Sequence, residues 1–266
     1  MKKIVNRVYD VVSDKVPETF DNCKICMLSD LHDNAYKISL DRLYNIVDEE
    51  KPEFIVFAGD LINRKSTKES EEAADVLCNL AKKYPVFFTN GNHETRVYIE
   101  KAKYEDRYER LMSKIRKSGI TILNNDKYIY EKNNESINIY GLEIGREYFR
   151  NRQTKKMDDD YISSMLGNAK KGFNVLIAHT PVYFENYARW GADLTFSGHM
   201  HGGIIRIPGI GGIINPNHTQ FPKYDGGEYN IGDSKLLLGR GLGTHTIMIR
   251  INNPAEVVTA VLKRKK

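Results

Sequence analysis

The chain lacks most of the features that mark secreted, disulfide-bonded or membrane proteins. It has three cysteines among its 266 residues, and an odd number argues against a framework of disulfides. No uncharged apolar run approaches the roughly 18 residues that a membrane-spanning helix needs. Residues 1–12 begin like a signal peptide, but polar residues such as Arg7 and Asp10 interrupt any apolar segment there. The sequence therefore predicts a cytoplasmic protein with reduced thiols.

Repeats, low-complexity linkers and shifts in composition are also missing. We therefore predict a single domain over residues 1–266, with its core at about residues 22–262. Hydrophobic residues make up 41% of the chain and charged residues 28%, as is typical of a globular protein. The net charge of +5 suits anionic substrates or surfaces without proving either. The basic residues 263–266 are typical of a solvated tail, so we expect at most peripheral contact with the inner face of a membrane.

Short apolar runs without polar alternation indicate strands that are buried on both faces. Five such runs lie at residues 25–28, 54–57, 86–88, 175–178 and 194–196, and further strands are predicted at 137–140 and 257–262. Between them, residues 36–51 and 69–83 carry apolar residues at helical spacing. Residues 97–118 are predicted to form a helix that packs over the sheet or caps a cleft. The alternation of strands and helices predicts a layered α/β core with largely parallel strands.

A polar cluster follows each of the five core strands. The clusters contain Asp30 and His32, then Asp60, then Asn92 and His93, then His179, and finally His199 and His201. The carboxyl ends of strands are where open α/β sheets place their ligand sites. Five of the seven histidines of the chain stand in these positions. The order of the clusters therefore predicts one site built from distant parts of the sequence.

The residue types predict a metal site with two ions. Imidazole nitrogens and carboxylate or amide oxygens are ligands for Mn, Fe, Zn or Co, and the clusters contain no thiolate. Seven candidate ligands are too many for one metal that keeps an open position. They are Asp30, His32, Asp60, Asn92, His179, His199 and His201. If Asp60 bridges, they serve two divalent ions about 3.5–4 Å apart, the arrangement used for displacement at phosphorus.

The motifs D-x-H, G-D, G-N-H-E, H and G-H-x-H, in this order over about residues 22–262, resemble the calcineurin-like metallophosphoesterase family. The resemblance implies an α/β fold, a four-layer sandwich of two mixed β-sheets flanked by helices. It also implies two divalent metal ions, with Mn preferred over Fe, Zn or Co. By this resemblance Asp30, His32 and His201 hold one ion. Asn92, His179 and His199 hold the other, Asp60 bridges them, and His93 is the catalytic histidine.

The segments 198–203, 206–208, 221–224 and 239–243 resemble a bacterial branch of the family. That branch includes membrane-associated phosphoesterases and a UDP-diacylglucosamine pyrophosphatase, which implies a phosphorylated small-molecule or lipid-linked substrate. Ile204 stands where many relatives have glutamine. The isoleucine-rich residues 202–214 are interpreted as two buried strands joined at residues 208–209, or as an apolar rim for a lipid or nucleoside substrate.

The expected reaction is hydrolysis of a phosphoester or pyrophosphate bond by a hydroxide that bridges the two ions. His93 would protonate the leaving oxygen or stabilise its charge. Glu94 either orients His93 or is a surface or helix-start acid. Arg240 is a candidate contact for substrate phosphate, with a surface salt bridge as the alternative, and Lys223, His218 and His245 are weaker candidates.

Two other functions remain as alternatives. One is a non-catalytic scaffold with the same fold, which would not need a complete ligand set together with His93. The other is a nuclease, for which we expect a dense basic groove and a duplex-binding module. Neither feature is evident, so nucleic acid is not an expected partner. Monoester, diester and pyrophosphate hydrolysis share one kind of centre, and the sequence does not choose among them.

Overall fold

The computed structural model describes residues 3–33, 38–63, 68–149, 155–203, 206–207, 211–212, 222–243 and 250–265. A six-stranded mixed sheet forms one half of its centre. In spatial order its strands are β1 (Ile4–Ser13), β14 (Ala255–Arg264), β2 (Lys24–Leu28), β3 (Phe54–Ala58), β4 (Val86–Thr89) and β5 (Thr121–Ile122). Only the β14–β2 pair is antiparallel.

A second six-stranded mixed sheet forms the other half. Its strands are, in spatial order, β12 (Gly227–Ile231), β13 (Ser234–Leu238), β9 (Leu194–Ser197), β8 (Asn174–Ala178), β7 (Glu135–Leu142) and β6 (Asp126–Lys132). The two outermost pairs are antiparallel and the inner pairs are parallel. A separate antiparallel pair consists of β10 (Arg206–Ile207) and β11 (Gly211–Gly212).

Helices cover both outer faces of the sheets. They are α1 (Leu40–Glu50), α2 (Lys68–Ala81), α3 (Asn92–Ile99), α4 (Lys101–Tyr104), α5 (Arg107–Lys117), α6 (Tyr161–Leu166) and α7 (Phe184–Trp190), with 3-10 helices at Glu18–Phe20 and Arg146–Phe149. The start of α1 shows how the sequence sets an element: the Ser39 side chain accepts the Arg42 N–H, and Leu43, Ile46 and Val47 form the buried stripe.

Alternate residues of the core strands enter different apolar clusters. Ile25 and Met27 of β2 point into the cluster between the sheets, whereas Cys26 and Leu28 join the cluster beneath α1, α2 and α5. A third cluster lies between the second sheet and helices α6 and α7. The strands are buried on both faces, as the uninterrupted apolar runs indicated. The predicted α/β fold with four layers is confirmed.

The structure corrects the prediction for residues 97–118, which form parts of three helices instead of one. Helix α3 ends at Ile99, and Glu105 has a positive φ of 52° after the single turn of α4. The chain then restarts as α5, whose Leu111, Met112 and Ile115 pack against the first sheet's outer cluster. Tyr104, Tyr108, Leu111, Met112 and Ile115 keep helical spacing across the break at Glu105, which concealed it in the sequence.

Five strands were not predicted: β1, β5, β6, β12 and β13. Strand β1 lies before the predicted core of residues 22–262 and pairs with β14 over its whole length. Only Ile4 and Val11 of its ten residues are buried, so it lacks the apolar pattern on which the other predictions rested. The assignment of residues 1–266 to one domain stays a prediction.

In the segment 202–214, β10 and β11 pair as a short hairpin. Ile207 is 39% exposed, so the interpretation of this segment as buried strands is wrong for Ile207. Residues 204–205, 208–210 and 213–214 lie outside the described residues. Within the residues that the structure describes, no helix combines the length and apolar character needed to cross a bilayer.

We expect Phe54→Ala to lower the free energy of unfolding by about 3–5 kcal/mol, because it empties a fully buried position between the sheets. The Phe54 ring lies 5.3 Å from the Phe87 ring and 5.0 Å from the Tyr130 ring. Val12→Ala is the control, since Val12 is 56% exposed, and should change stability by about 0.5 kcal/mol or less. Urea denaturation measures both; similar midpoints for the two variants would contradict the packing described.

Candidate metal centre

The five predicted core strands end at one edge of the sandwich. Strands β2, β3 and β4 are parallel in one sheet, and β8 and β9 are parallel in the other. Hydrogen bonds join the loops that follow them: the Asp30 N–H donates to Gly59 O, and the Gly198 N–H donates to His179 O, both at 2.9 Å. His179 links the sheets, because its Nδ1 lies 2.7 Å from Ala58 O.

Two buried aspartates form the middle of the cluster. His179 Nε2 lies 3.1 Å from Asp60 Oδ2 and 4.0 Å from Asp30 Oδ1. His32 Nε2 is 3.8 Å from an oxygen of each aspartate. His201 Nε2 lies 3.5 Å from Asp30 Oδ1 and 2.9 Å from His32 Nε2. Nitrogen and oxygen atoms from four separate loops therefore converge on one small volume.

Among the residues that the structure describes, three groups of potential ligands each have their ligand atoms within 4.8 Å of one another. They are Asp30, His32 and His201; His32, Asp60 and His93; and Asp60, His179 and His199. Asp60 and His32 each belong to two groups. Every predicted histidine and aspartate ligand is therefore beside at least two others, and His93 lies among them.

The contacts of His179 show that the cluster suits a cation. Because the Ala58 carbonyl can only accept, His179 Nδ1 donates, and a neutral ring turns the lone pair of Nε2 towards Asp60 Oδ2. Burial opposes the charged ring, but the Asp60 carboxylate outweighs it and raises the pKa of His179 to about 10. A positive charge at Nε2, carried by a proton or supplied by a metal ion, therefore satisfies both the ring nitrogen and Asp60 Oδ2. The nitrogen and oxygen donors fit a divalent metal ion such as Mn, Fe, Zn or Co.

The aspartates respond to the same surroundings in opposite directions. Burial, with the neighbouring Asp60 charge, raises the pKa of Asp30 to about 6. Burial would also raise the pKa of Asp60, but His179 and then His93 hold that pKa well below its usual range. Asp60 is therefore the more readily ionised of the two, and it makes the shortest carboxylate–imidazole contact of the pair, 3.1 Å to His179 Nε2.

Asn92 and His93 begin helix α3 beside the cluster. The His93 N–H donates to Asp60 Oδ1 at 2.9 Å, and His93 Nε2 lies 3.9 Å from Asp60 Oδ2. The Asn92 Oδ1 atom is buried and accepts no hydrogen bond within the part of the chain that the structure describes. A buried amide oxygen without a donor is costly unless another partner is supplied, and a metal ion is such a partner.

Several residues of the cluster have a left-handed backbone, which is uncommon for residues other than glycine. They are Asp30, His32, Asp60, His199 and His201, with φ between 51° and 71°. Strain of this kind amounts to about 1–3 kcal/mol per residue and is concentrated at functional sites. Gly91 is required for a different reason: a Cβ there would lie 2.2 Å from Asp60 Oδ1.

Glu94 is completely buried, so its interpretation as a surface acid is wrong. Its carboxylate accepts the backbone N–H groups of Asp60 and Gly91 at 2.8 Å and that of Ile62 at 3.0 Å. It closes the first turn of α3 as a helix-start acid. Burial, and then the Asp60 charge, raises the pKa of Glu94 to about 7. Glu94 therefore locks the turn after β3 to the start of α3.

The guanidinium of Arg240, a predicted phosphate contact, lies beside Glu256. Its Nε is 3.4 Å from Glu256 Oε2, and the Arg240 side chain is 10% exposed, so it forms a buried ion pair instead of a surface salt bridge. Lys223 pairs with Glu185 at the surface. His218 and His245 lie outside the described residues.

Sequence analysis missed Arg250. Its guanidinium donates to Gly241 O at 3.1 Å and to Gly243 O, and its Nη2 lies 3.4 Å from His201 Nδ1. Burial lowers the pKa of Arg250 to about 10. No motif surrounds Arg250 in the sequence, and its partners lie seven or more residues away, so only the fold could have identified it.

Comparison with proteins of known sequence gives relatives over most of the chain. The chain is 26% identical to the uncharacterized metallophosphoesterase YkuE of Bacillus subtilis over 96% of its own length and 84% of the relative's. It is 26% identical to phosphodiesterase YaeI of Escherichia coli, covering 88% and 80%. It is 24% identical to the UDP-2,3-diacylglucosamine pyrophosphatase LpxG of Chlamydia trachomatis, covering 88% and 82%.

Solved structures show the same fold at low sequence identity. TT1561 of Thermus thermophilus matches with a TM-score of 0.53 and 10% identity, over 82% of this chain and 89% of that one. The model of the calcineurin-like phosphoesterase family matches residues 23–203, more than half of the chain. This range contains all seven candidate metal ligands and His93. The chain therefore belongs to the calcineurin-like phosphoesterase family.

Proposed function

We propose that the protein is a dimetal-dependent hydrolase that cleaves a phosphoester or phosphoanhydride bond. The observation that carries this proposal is the shared position of Asp60, which belongs to one ligand group with His179 and His199 and to another with His32 and His93. A single buried carboxylate between two sets of imidazoles suits a bridge between two cations. Membership of the family supports the same reaction class.

In this proposal Asp30, His32 and His201 would hold one ion, Asn92, His179 and His199 would hold the other, and Asp60 would be shared between them. Mn fits these donors, with Fe, Zn or Co as alternatives. When bound, the ions supply positive charge against the phosphoryl oxygens and lower the pKa of water. The residues of the chain orient these donors: Ala58 O fixes the His179 ring through Nδ1, and the Glu94 carboxylate fixes the Asp60 backbone.

His93 is the proposed proton donor to the leaving oxygen. Its backbone N–H is anchored on Asp60 Oδ1, and its ring lies 4.9 Å from the ring of His32, so the imidazole is held within the cluster, beside Asp60 and His32. Burial at 5% exposure limits access of water to this proton. A general acid must lie beside the reacting group and must carry a proton that it can transfer.

The proposed substrate is a phosphorylated small molecule or a lipid-linked phosphate. Two relatives are named a phosphodiesterase and a UDP-2,3-diacylglucosamine pyrophosphatase, and these names support the class without choosing a member of it. A non-catalytic scaffold and a nuclease are the competing functions. The cytoplasmic location, with at most peripheral membrane contact, stays a prediction from the sequence.

Asp60→Asn should remove metal and activity together, because a neutral amide cannot balance two cations. Substituting a residue that only supports a metal ligand typically lowers activity by about 10–100-fold. We expect the loss of Asp60 itself to lower the turnover of bis(4-nitrophenyl) phosphate by more than this. Metal content measured by elemental analysis should fall in parallel. Asp48→Asn is the control, since that carboxylate pairs with Lys83 at the surface. Full metal occupancy and normal turnover in Asp60→Asn would exclude a shared bridging carboxylate.

His93→Ala should keep both ions and slow the reaction by about 10²–10⁴-fold, the usual contribution of a general acid. The loss should be largest for an ester with a poor alkyl leaving group, since a 4-nitrophenolate departs without protonation. Turnover of the two kinds of ester by wild type and variant, with metal analysis, measures this. If His93→Ala instead loses one ion, His93 is a ligand and the proton-donor role is wrong.

A further inference from the structure

A charged cluster lies at the corner of the sandwich next to the metal centre. Glu256, near the start of β14, has a completely buried side chain. Arg240 Nε lies 3.4 Å from Glu256 Oε2, and Arg7 Nε lies 3.7 Å from the same oxygen. Arg206 is close enough for its charge to lower the pKa of Glu256, together with Arg240 and Arg7, against the larger effect of burial. Two guanidinium groups thus face the Glu256 carboxylate, and Arg206, whose Nη1 donates to Gly202 O at 3.3 Å, adds a third positive charge nearby.

Some buried polar atoms of this cluster lack partners. Among the described residues, Arg240 Nε and both carboxylate oxygens of Glu256 make no hydrogen bond of normal geometry. Arg206 differs, because its Nη1 lies 3.0 Å from Asp225 Oδ2. Each guanidinium carries five N–H donors in a planar fork. A buried ion pair that served only the fold would normally align these donors with the carboxylate.

The charges of the cluster do not cancel. Three arginines stand against two carboxylates, Glu256 and Asp225, so these five groups together carry one net positive charge when all are ionised. The Arg7 side chain is 49% exposed, whereas that of Arg240 is 10% exposed. The cluster therefore has an inner arginine and an outer arginine that solvent can reach. Arginine forks of this kind bind phosphate or carboxylate oxygens in pairs.

The cluster adjoins the metal centre through the chain on both sides. A Cβ on Gly202, the residue after His201, would lie 2.9 Å from Arg240 Cγ. A Cβ on Gly241, the residue after Arg240, would lie 2.6 Å from Asp30 Cβ. The aliphatic part of the Arg240 side chain therefore lies against the loop that carries the predicted ligand His201. Gly241, the next residue, lies against the predicted ligand Asp30.

We propose that Arg7, Arg206 and Arg240 form an anion-binding subsite beside the metal centre, which takes a second anionic group of the substrate, a phosphate or a carboxylate. This inference rests on the proposed function of the centre. It narrows the substrate class to phosphoesters or phosphoanhydrides with a further negative charge. It also assigns a role to Arg7, which lies on a strand that no sequence pattern indicated.

The first experiment counts phosphate on the metal-loaded protein by equilibrium dialysis with labelled inorganic phosphate. We expect two phosphates per chain, one at the metal centre and one at the subsite. Arg7→Ala should weaken the second about tenfold or more, the effect of losing a charged hydrogen bond. Glu256→Gln should strengthen it, because the competing carboxylate loses its charge. Arg42→Ala is the matched control: Arg42 is 50% exposed and lies 3.6 Å from Glu49, and its loss should change nothing.

The second experiment identifies the source of the anion. It compares the 4-nitrophenyl esters of thymidine 5′-phosphate with and without a 3′-phosphate. Arg7→Ala should raise KM about tenfold more for the ester with the 3′-phosphate than for the ester without it. Glu256→Gln should lower KM for the ester with the 3′-phosphate and leave KM for the other ester unchanged. Equal effects on both esters would overturn the proposal, since they indicate a structural role or a site for free anions. One bound phosphate in the wild type would also overturn it.

The outcomes separate this inference from the proposed function. Two bound phosphates with no hydrolysis of either ester would contradict the hydrolase and support the subsite. Hydrolysis of both esters with no selective change in Arg7→Ala would support the hydrolase and overturn the subsite. Thermal unfolding of each variant shows whether the fold is retained, and Glu256→Gln keeps the test decisive if Arg7→Ala does not fold.

Discussion

The buried carboxylate of Asp60 is the group on which the rest of the site depends. Its Oδ2 faces His179 and His93, its Oδ1 accepts the His93 N–H, and its own backbone N–H is held by Glu94. A charge removed from water must be compensated by its surroundings. Here the compensation comes from loops after strands of both sheets. The position of Asp60 therefore constrains how the sheets meet and where helix α3 begins.

Rigid elements on both sides hold this arrangement. The ligand residues follow directly on strands whose faces are buried in three apolar clusters. Positions at strand ends are more precise than positions within long loops. This support explains how several left-handed residues are tolerated at one place, because the packing of the sheets opposes the local strain.

The segment 239–243 connects the metal centre to the charged corner. Gly241 and Gly243 pack on the loop that contains Asp30, and Arg250 ties their carbonyl oxygens to the side of His201. Arg240 lies between strand β13 and Gly241, and its side chain is directed towards Glu256. A side chain on either glycine would collide with backbone or ligand atoms. One short segment thus supports the predicted ligands and carries the inner arginine of the proposed subsite.

The sequence by itself determined the layered α/β class, the five core strands and the family, since buried strands leave uninterrupted apolar runs and their ends carry a recognisable order of polar residues. The ligand roles of those residues stay predictions. Strand β1 has only two buried residues and therefore no such apolar pattern. It is an edge strand, and its backbone hydrogen bonds to β14 hold it in the sheet. The contacts of Glu94, Arg250 and Arg7 were likewise decided only by the tertiary structure. Glu94 meets the backbone of Asp60 and Ile62, Arg7 meets Glu256, and Arg250 meets His201. Local spacing contains no information about partners that only folding brings together.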